Sequence, residues 1–158
     1  MKPNYYLAKT DPSDYPITRF ASEGRTVWDG VTNAQALQAI RAMRPGDRVF
    51  IYHSNTDPAG IAGIGEVVAE AHADPSQFDK MSPYFDPKST PGAPRWQCVD
   101  VGYVRHLPRL VTLAELKAEP RLCDMVVVQR GSRLSVQPVT PEAWRLVLAM
   151  VGVGVEDA

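Results

Sequence analysis

A curved β-barrel of five to seven strands with short peripheral helices, in the α+β class, is the fold the sequence predicts. Three observations carry it. Short apolar segments with a two-residue period are punctuated by proline and glycine turns, and the chain holds 14 prolines. The helical patterns between them are short and carry their own start signals. Strand and helix do not alternate regularly, as a parallel doubly wound sheet requires. With 158 residues, 44% apolar and 22% charged, the chain has the size and composition of one globular domain spanning 1–158.

Asn4 to Lys9 reads as the first strand, given β character by Tyr5, Tyr6 and Leu7 and stopped at Thr10-Asp11-Pro12. Ile17 to Ser22 reads as a short helix, weakly patterned, followed by Gly24 and a strand at Val27-Trp28. Trp28, an Asp29-Gly30 turn and Asn33 then stand immediately before an amphipathic helix whose stripe is Ala36, Leu37, Ile40 and Met43. Thr32 and Gln35 have the spacing of a capping box, and Val31 with Ala36 that of a hydrophobic staple. Two readings of this stretch stand. If Thr32 caps, Asn33 is the first helical residue, and its free amide beside the indole can grip a flat, hydrogen-bonding ring. Alternatively Trp28 fills the core and Asn33 is itself the cap.

Pro45-Gly46 forces a turn, and Asp47 to Ser54 returns as a strand. Val49, Ile51 and His53 share one face, Phe50, Tyr52 and Ser54 the other, so both faces are apolar and the strand is central. His53 ends its row where pockets commonly open. Gly60 to Ala71 is a strand bearing Gly60, Gly63 and Gly65, which lack the spacing of a dinucleotide turn. They permit bending or close backbone approach, which suits a closed sheet. Asp74 to Arg95 is a loop long enough to be functional, and Trp96 to Arg105 is a strand with Val99, Val101 and Tyr103 on one side. Thr112 and Glu115 form a capping box for a helix over Leu113 to Ala118. Leu122 to Gln129 is ambiguous between helix and strand. Ser132 to Val136 reads as a strand, with Arg133, Ser135 and Gln137 in register to line a pocket or to face water. Thr140-Pro141 starts a terminal helix, with Val139 stapled to Trp144 and Leu146, Val147 and Met150 facing the core.

The formal charge of -1 gives no general attraction to nucleic acid, so phosphate binding needs a local patch. Arg41, Arg44 and Arg48 form one basic group and Arg105, His106 and Arg109 another; they either track a phosphate backbone or are solvated arginines balanced by acids such as Asp47. Cys98 and Cys123 have no metal-type spacing and read as reduced core thiols of a cytoplasmic protein. The N-terminus lacks the apolar stretch of a signal peptide, and the tail from Trp144 to Val155 is too short to span a bilayer, so no membrane partner is expected. His53 and Ser54 are adjacent on a strand and point to opposite faces, which excludes a dyad. No nucleophile elbow is present, and His53, His72 and His106 are far apart, so neither a metal nor another cofactor is expected.

Ordered motifs along the whole chain resemble the EVE domain family, relatives of thymocyte nuclear protein. They are Lys9-Thr10-Asp11-Pro12, Trp28-Asp29-Gly30-Val31 with Asn33 and Ala36, Tyr52-His53-Ser54, Gly60-Ile61-Ala62-Gly63, Tyr84 with Asp86-Pro87, Trp96 with Val99-Asp100-Val101, and Arg133-Leu134-Ser135-Val136-Gln137-Pro138. Thr10 and Asp11 stand where serine and glutamate are common. The resemblance implies a PUA-like fold and a non-catalytic reader of a methylated or hydroxymethylated base in DNA or RNA. It implies Trp28 as a stacking wall, Asn33 on the base edge, Lys9, Thr10, His53 and Ser54 around the pocket, and Arg133, Ser135 and Gln137 as further polar contacts. The competing classes are a nucleotide- or RNA-processing enzyme and a small-molecule or protein interaction module contacting its partner through the Asp74 to Arg95 loop.

Overall fold

The computed structural model describes residues 2–131 and 133–158. Among them, seven strands and four α-helices run in the order β1 (Tyr5–Thr10), α1 (Ile17–Glu23), β2 (Arg25–Trp28), α2 (Ala34–Ala42), β3 (Arg48–His53), β4 (Gly60–Val67), β5 (His72–Ala73), β6 (Gln97–Thr112), α3 (Leu113–Ala118), β7 (Val136–Val139) and α4 (Pro141–Met150). The strands form a mixed sheet in the order β2-β6-β4-β3-β1-β7, with β5 pairing on the start of β6. β1 and β3 are parallel and the other neighbours antiparallel.

The α+β class and the strand number agree with the sequence, but the sheet is not a closed barrel. Its end strands β2 and β7 have four residues each and do not pair with one another among the described residues. β7 also carries Pro138, which has no N–H to offer a further strand. Helix α2 packs on both β7 and β6, so it fills the seam that a barrel would close with hydrogen bonds. The expected bending is present, with register shifts between Ile51 and Tyr52, Ile61 and Gly63, and Ile64 and Gly65. At Gly63 a Cβ would lie 2.0 Å from the Ile17 side chain and 2.6 Å from the Arg105 carbonyl oxygen, so close packing of α1 and β6 needs glycine there.

β3 is central, as its doubly apolar pattern predicts, and divides two cores. On one face Tyr6, Ala8, Val49, Ile51, Val99 and Val101 pack with Ile17 and Phe20 of α1 and Ala36, Leu37 and Ile40 of α2. On the other, Leu7, Phe50, Ile61 and Ile64 meet Leu116 of α3 and Trp144, Val147 and Leu148 of α4. The Trp144 ring stacks between Phe50 and Tyr5, at 3.8 and 4.7 Å between ring centres.

One open reading is decided and three local expectations are corrected. Asn33, not Thr32, caps α2; its Oδ1 accepts from the N–H groups of Gln35 at 2.9 Å and Ala36 at 3.2 Å. Leu122 to Gln129 is neither helix nor strand but holds parts of two 3₁₀ turns, Pro120–Leu122 and Val126–Val128, started by Pro120 and by extended Met125. The strand placed at Ser132 to Val136 lies at Val136–Val139, because only from Ser135 onward does this segment meet β1: Lys9 N–H donates to the Ser135 carbonyl at 2.8 Å. Ser132 lies outside the described residues. Of the two cysteines, Cys98 is buried as expected but Cys123 is exposed, beside the turn that follows Leu122. The Thr112–Glu115 capping box and helix Leu113–Ala118 are as read from the sequence.

Candidate functional site

A cleft of about 580 Å³ opens between the end of β1, helix α1 and the β2–α2 connection, a volume in the usual range for small-ligand sites. Trp28 ends β2, paired with Val99 of β6, and is half-buried: one side packs on the core beneath α2 while the residue lines the cleft. The chain then turns at Gly30, with φ +73, where an L side chain is strained. Gly30 N–H donates to Asp74 Oδ2 at 2.8 Å. Asp74 is fully buried, and its Oδ1 accepts from Ser76 N–H at 2.8 Å and from the Ser76 hydroxyl at 2.6 Å. One carboxylate thus ties the long loop to the turn after Trp28.

That loop is ordered by Gln77, which is fully buried. Its Nε2 donates to the Asp74 and Trp96 carbonyls, each at 2.7 Å, and its Oε1 accepts from the N–H groups of Arg95 at 2.8 Å and Trp96 at 3.0 Å. The arrangement delivers Tyr84 to the cleft. A Cβ on Gly30 would stand 2.8 Å from the Tyr84 ring, so the missing side chain makes room for a second aromatic wall.

The opposite wall belongs to β1 and α1. The Thr10 hydroxyl donates to the Tyr15 carbonyl at 3.1 Å, and the Tyr15 hydroxyl donates to Glu23 at 2.5 Å. Arg19 pairs with Glu23 at 3.3 Å and lies 5.3 Å from the Tyr15 ring centre. Pro16 cannot cap α1, and His53 does so instead, its Nε2 accepting from Ile17 N–H at 3.1 Å. Burial, with His106 adding to it, holds the His53 imidazole below its ordinary pKa, in keeping with a neutral acceptor. Lys9 makes no ion pair among the described residues, and burial lowers its pKa.

The charges of the cleft are Lys9 and Arg19 against Asp11, Asp14, Glu23 and Asp29. Asp29 is a solvent-exposed residue, yet partial desolvation of its carboxyl first, and the neighbouring Asp74 second, hold it above the ordinary range, with no cation among the groups acting on it. An adjoining hollow of about 430 Å³ has the opposite character, lined by Arg130 and Arg133 with Asn33, Gln35 and Gln129 and by no acid. The two hollows meet along the chain, since Val31 and Ser135 line the first and Asn33 and Arg133 the second.

Of the residues expected at one site, Lys9, Thr10, Trp28 and Ser135 line the cleft, while Asn33 and Arg133 line the hollow beside it. The others are elsewhere. His53 is spent on the start of α1, and Ser54 follows β3, its N–H donating to the Thr10 carbonyl at 2.9 Å. Gln137 is fully buried and donates to the Leu134 carbonyl at 2.8 Å, because its side of β7 faces the core rather than a pocket. None of the six basic residues grouped by sequence lines the cleft: Arg48 pairs with Glu66 at 2.9 Å, Arg109 with Glu115 at 2.7 Å, and Arg41 donates to Gln97 at 3.1 Å. Tyr15, Asp29 and Tyr84 also line the cleft, which neither period nor spacing in the sequence signals. Asp29 is legible in the sequence as half of a turn and as part of a family motif, and the Gly30–Tyr84 contact leaves no local trace.

The family model described as EVE domain matches residues 4–150. This chain belongs to the EVE domain family. Among curated relatives of this EVE domain, thymocyte nuclear protein 1 of Homo sapiens is 44% identical over 133 residues, covering 79% of this chain and 59% of the human protein. The same protein of Rattus norvegicus is 37% identical over 166 residues, covering 93% of this chain and 73% of the rat protein. The match to the human relative therefore spans less than two thirds of its length. A solved Pseudomonas putida protein has 43% identity and a TM-score of 0.90, covering 92% of this chain and 98% of its own. The crystal structure of human THYN1 protein in complex with 5-methylcytosine containing DNA has 36% identity and a TM-score of 0.89, covering 96% and 99%.

Proposed function

We propose that this EVE domain is a non-catalytic module that binds DNA carrying 5-methylcytosine and holds that base in the Trp28 cleft. The observation that carries the reading is the open cleft with Trp28 and Tyr84 on its walls, in a fold that superposes on human THYN1, whose structure contains such DNA. A base extruded from its stack loses a few kcal/mol and regains about 1–3 kcal/mol on an aromatic platform. Lys9, Thr10 and Ser135 offer polar contacts around it. The acidic balance of the cleft favours a base there over a phosphate, and Arg130 and Arg133 in the adjoining hollow take the backbone.

The test is a panel of duplexes differing only in one central cytosine, 5-methylcytosine or 5-hydroxymethylcytosine. A tighter complex with 5-methylcytosine than with cytosine is expected, by about tenfold for one methyl in an apolar pocket. Trp28→Ala is expected to weaken that complex by about tenfold or more. Equal affinities across the panel, or a preference that survives Trp28→Ala, would overturn the reading.

A further inference from the structure

We infer that Asp29 is the residue that distinguishes a 4-amino pyrimidine from a 4-keto pyrimidine, accepting a hydrogen bond from the exocyclic amine of the base in the cleft. The inference rests on the function proposed above and adds to it the residue that reads the base edge. Asp29 directly follows Trp28, lines the same cleft, and makes no ion pair among the described residues. It is exposed to solvent, and its neighbour Asp74 accepts from Gly30 and Ser76 and gives it no hydrogen bond.

The cleft also carries four acids, Asp11, Asp14, Glu23 and Asp29, against Lys9 and Arg19, and Arg19 is paired with Glu23. Asp11 accepts from Ser13 and Glu23 from Tyr15 and Arg19, so Asp14 and Asp29 are the acids of the cleft left to accept from an edge that presents N–H. Cytosine and 5-methylcytosine present the N4 amine, whereas thymine presents a carbonyl oxygen at the same place. A carboxylate against that oxygen sets acceptor against acceptor, and both lose their water without gaining a bond. Thymine and 5-methylcytosine share the ring and the 5-methyl group, so stacking on Trp28 and contact with the methyl do not separate them. The discrimination falls to whichever group meets position 4.

The experiment compares duplexes in which 5-methylcytosine, cytosine or thymine faces an abasic site, so that no pairing energy differs between them. Wild type is expected to prefer 5-methylcytosine over thymine by about tenfold. Asp29→Ala is expected to bring that ratio close to one by weakening the 5-methylcytosine complex. Asp29→Asn, whose amide can accept from an amine or donate to a carbonyl, is expected to keep 5-methylcytosine and to gain affinity for thymine. Retention of the wild-type ratio in Asp29→Ala, with Trp28→Ala still abolishing the preference over cytosine, would overturn the role of Asp29 alone. Absence of any preference of wild type for 5-methylcytosine over cytosine would overturn the cleft reading and this inference with it.

Discussion

Asn33 carries both a legible and an illegible message. A helix start was plain at this point of the chain, but whether Thr32 or Asn33 capped it depended on backbone angles that neither spacing nor residue type dictates. The choice matters: a capping Asn33 has given its oxygen to Gln35 and Ala36 and keeps only its NH2 group, a donor, to offer a ligand. His53 shows the same effect at longer range. Its position at the end of an apolar row suggested a pocket, yet it closes the first turn of α1 thirty-six residues earlier in the chain. This has a pH consequence. A histidine held below its ordinary value of 6.5 binds fewer protons folded than unfolded. Its contribution is therefore complete above 6.5 and is lost as pH falls through the folded value. Thermal melts are expected to show a lower Tm at pH 5.5 than at 7.5, and His53→Gln, which can still accept from Ile17 N–H, is expected to flatten that difference. An unchanged pH dependence in the variant would mean that His53 does not set it.

The loop from Asp74 to Arg95 is the element whose length raised a functional question and whose structure answers it with a buried amide. Loops carry polar backbone groups that need partners, and here Gln77 satisfies four of them at once. Asp86 extends the scaffold, its N–H donating to the Gln77 carbonyl at 2.9 Å while its carboxylate accepts from Ser89 at 2.6 Å and from Lys88 N–H at 3.1 Å. Gln77→Ala leaves buried groups unpaired, at about 1–3 kcal/mol each. A loss of about 3 kcal/mol in urea denaturation is expected, with weaker binding of 5-methylcytosine DNA as Tyr84 leaves the cleft. Wild-type stability in this variant would show that the loop is anchored otherwise. Helix α2 is legible in every respect but its cap: the stripe Ala36, Leu37, Ile40 and Met43 is buried as its period requires.

Over the whole molecule a formal charge of -1 conceals a separation of sign, acidic in the cleft and basic in the hollow of Arg130 and Arg133. Binding through that hollow is expected to be salt-dependent while base selection in the cleft is not. The double variant Arg130→Ala, Arg133→Ala is expected to weaken DNA binding and to reduce the slope of log affinity against log salt by about 1 for each arginine, as single phosphate contacts do. The preference for 5-methylcytosine over cytosine is expected to persist. An unaltered slope would place the backbone elsewhere.

Along this chain, local signals determined most strands, the capped helices α3 and α4, and the centrality of β3, because periodicity and capping act between residues a few positions apart. The ordered motifs determined the family. Tertiary structure alone decided that the sheet stays open, with α2 in its seam, that Tyr84 joins Lys9, Trp28 and Ser135 in one cleft, and that Gln137 and His53 hydrogen-bond within the fold. Those outcomes depend on strand register, on a carboxylate bridging Asp74 to Gly30, and on a buried amide holding a long loop, contacts whose partners lie tens of residues apart and leave no period in the sequence.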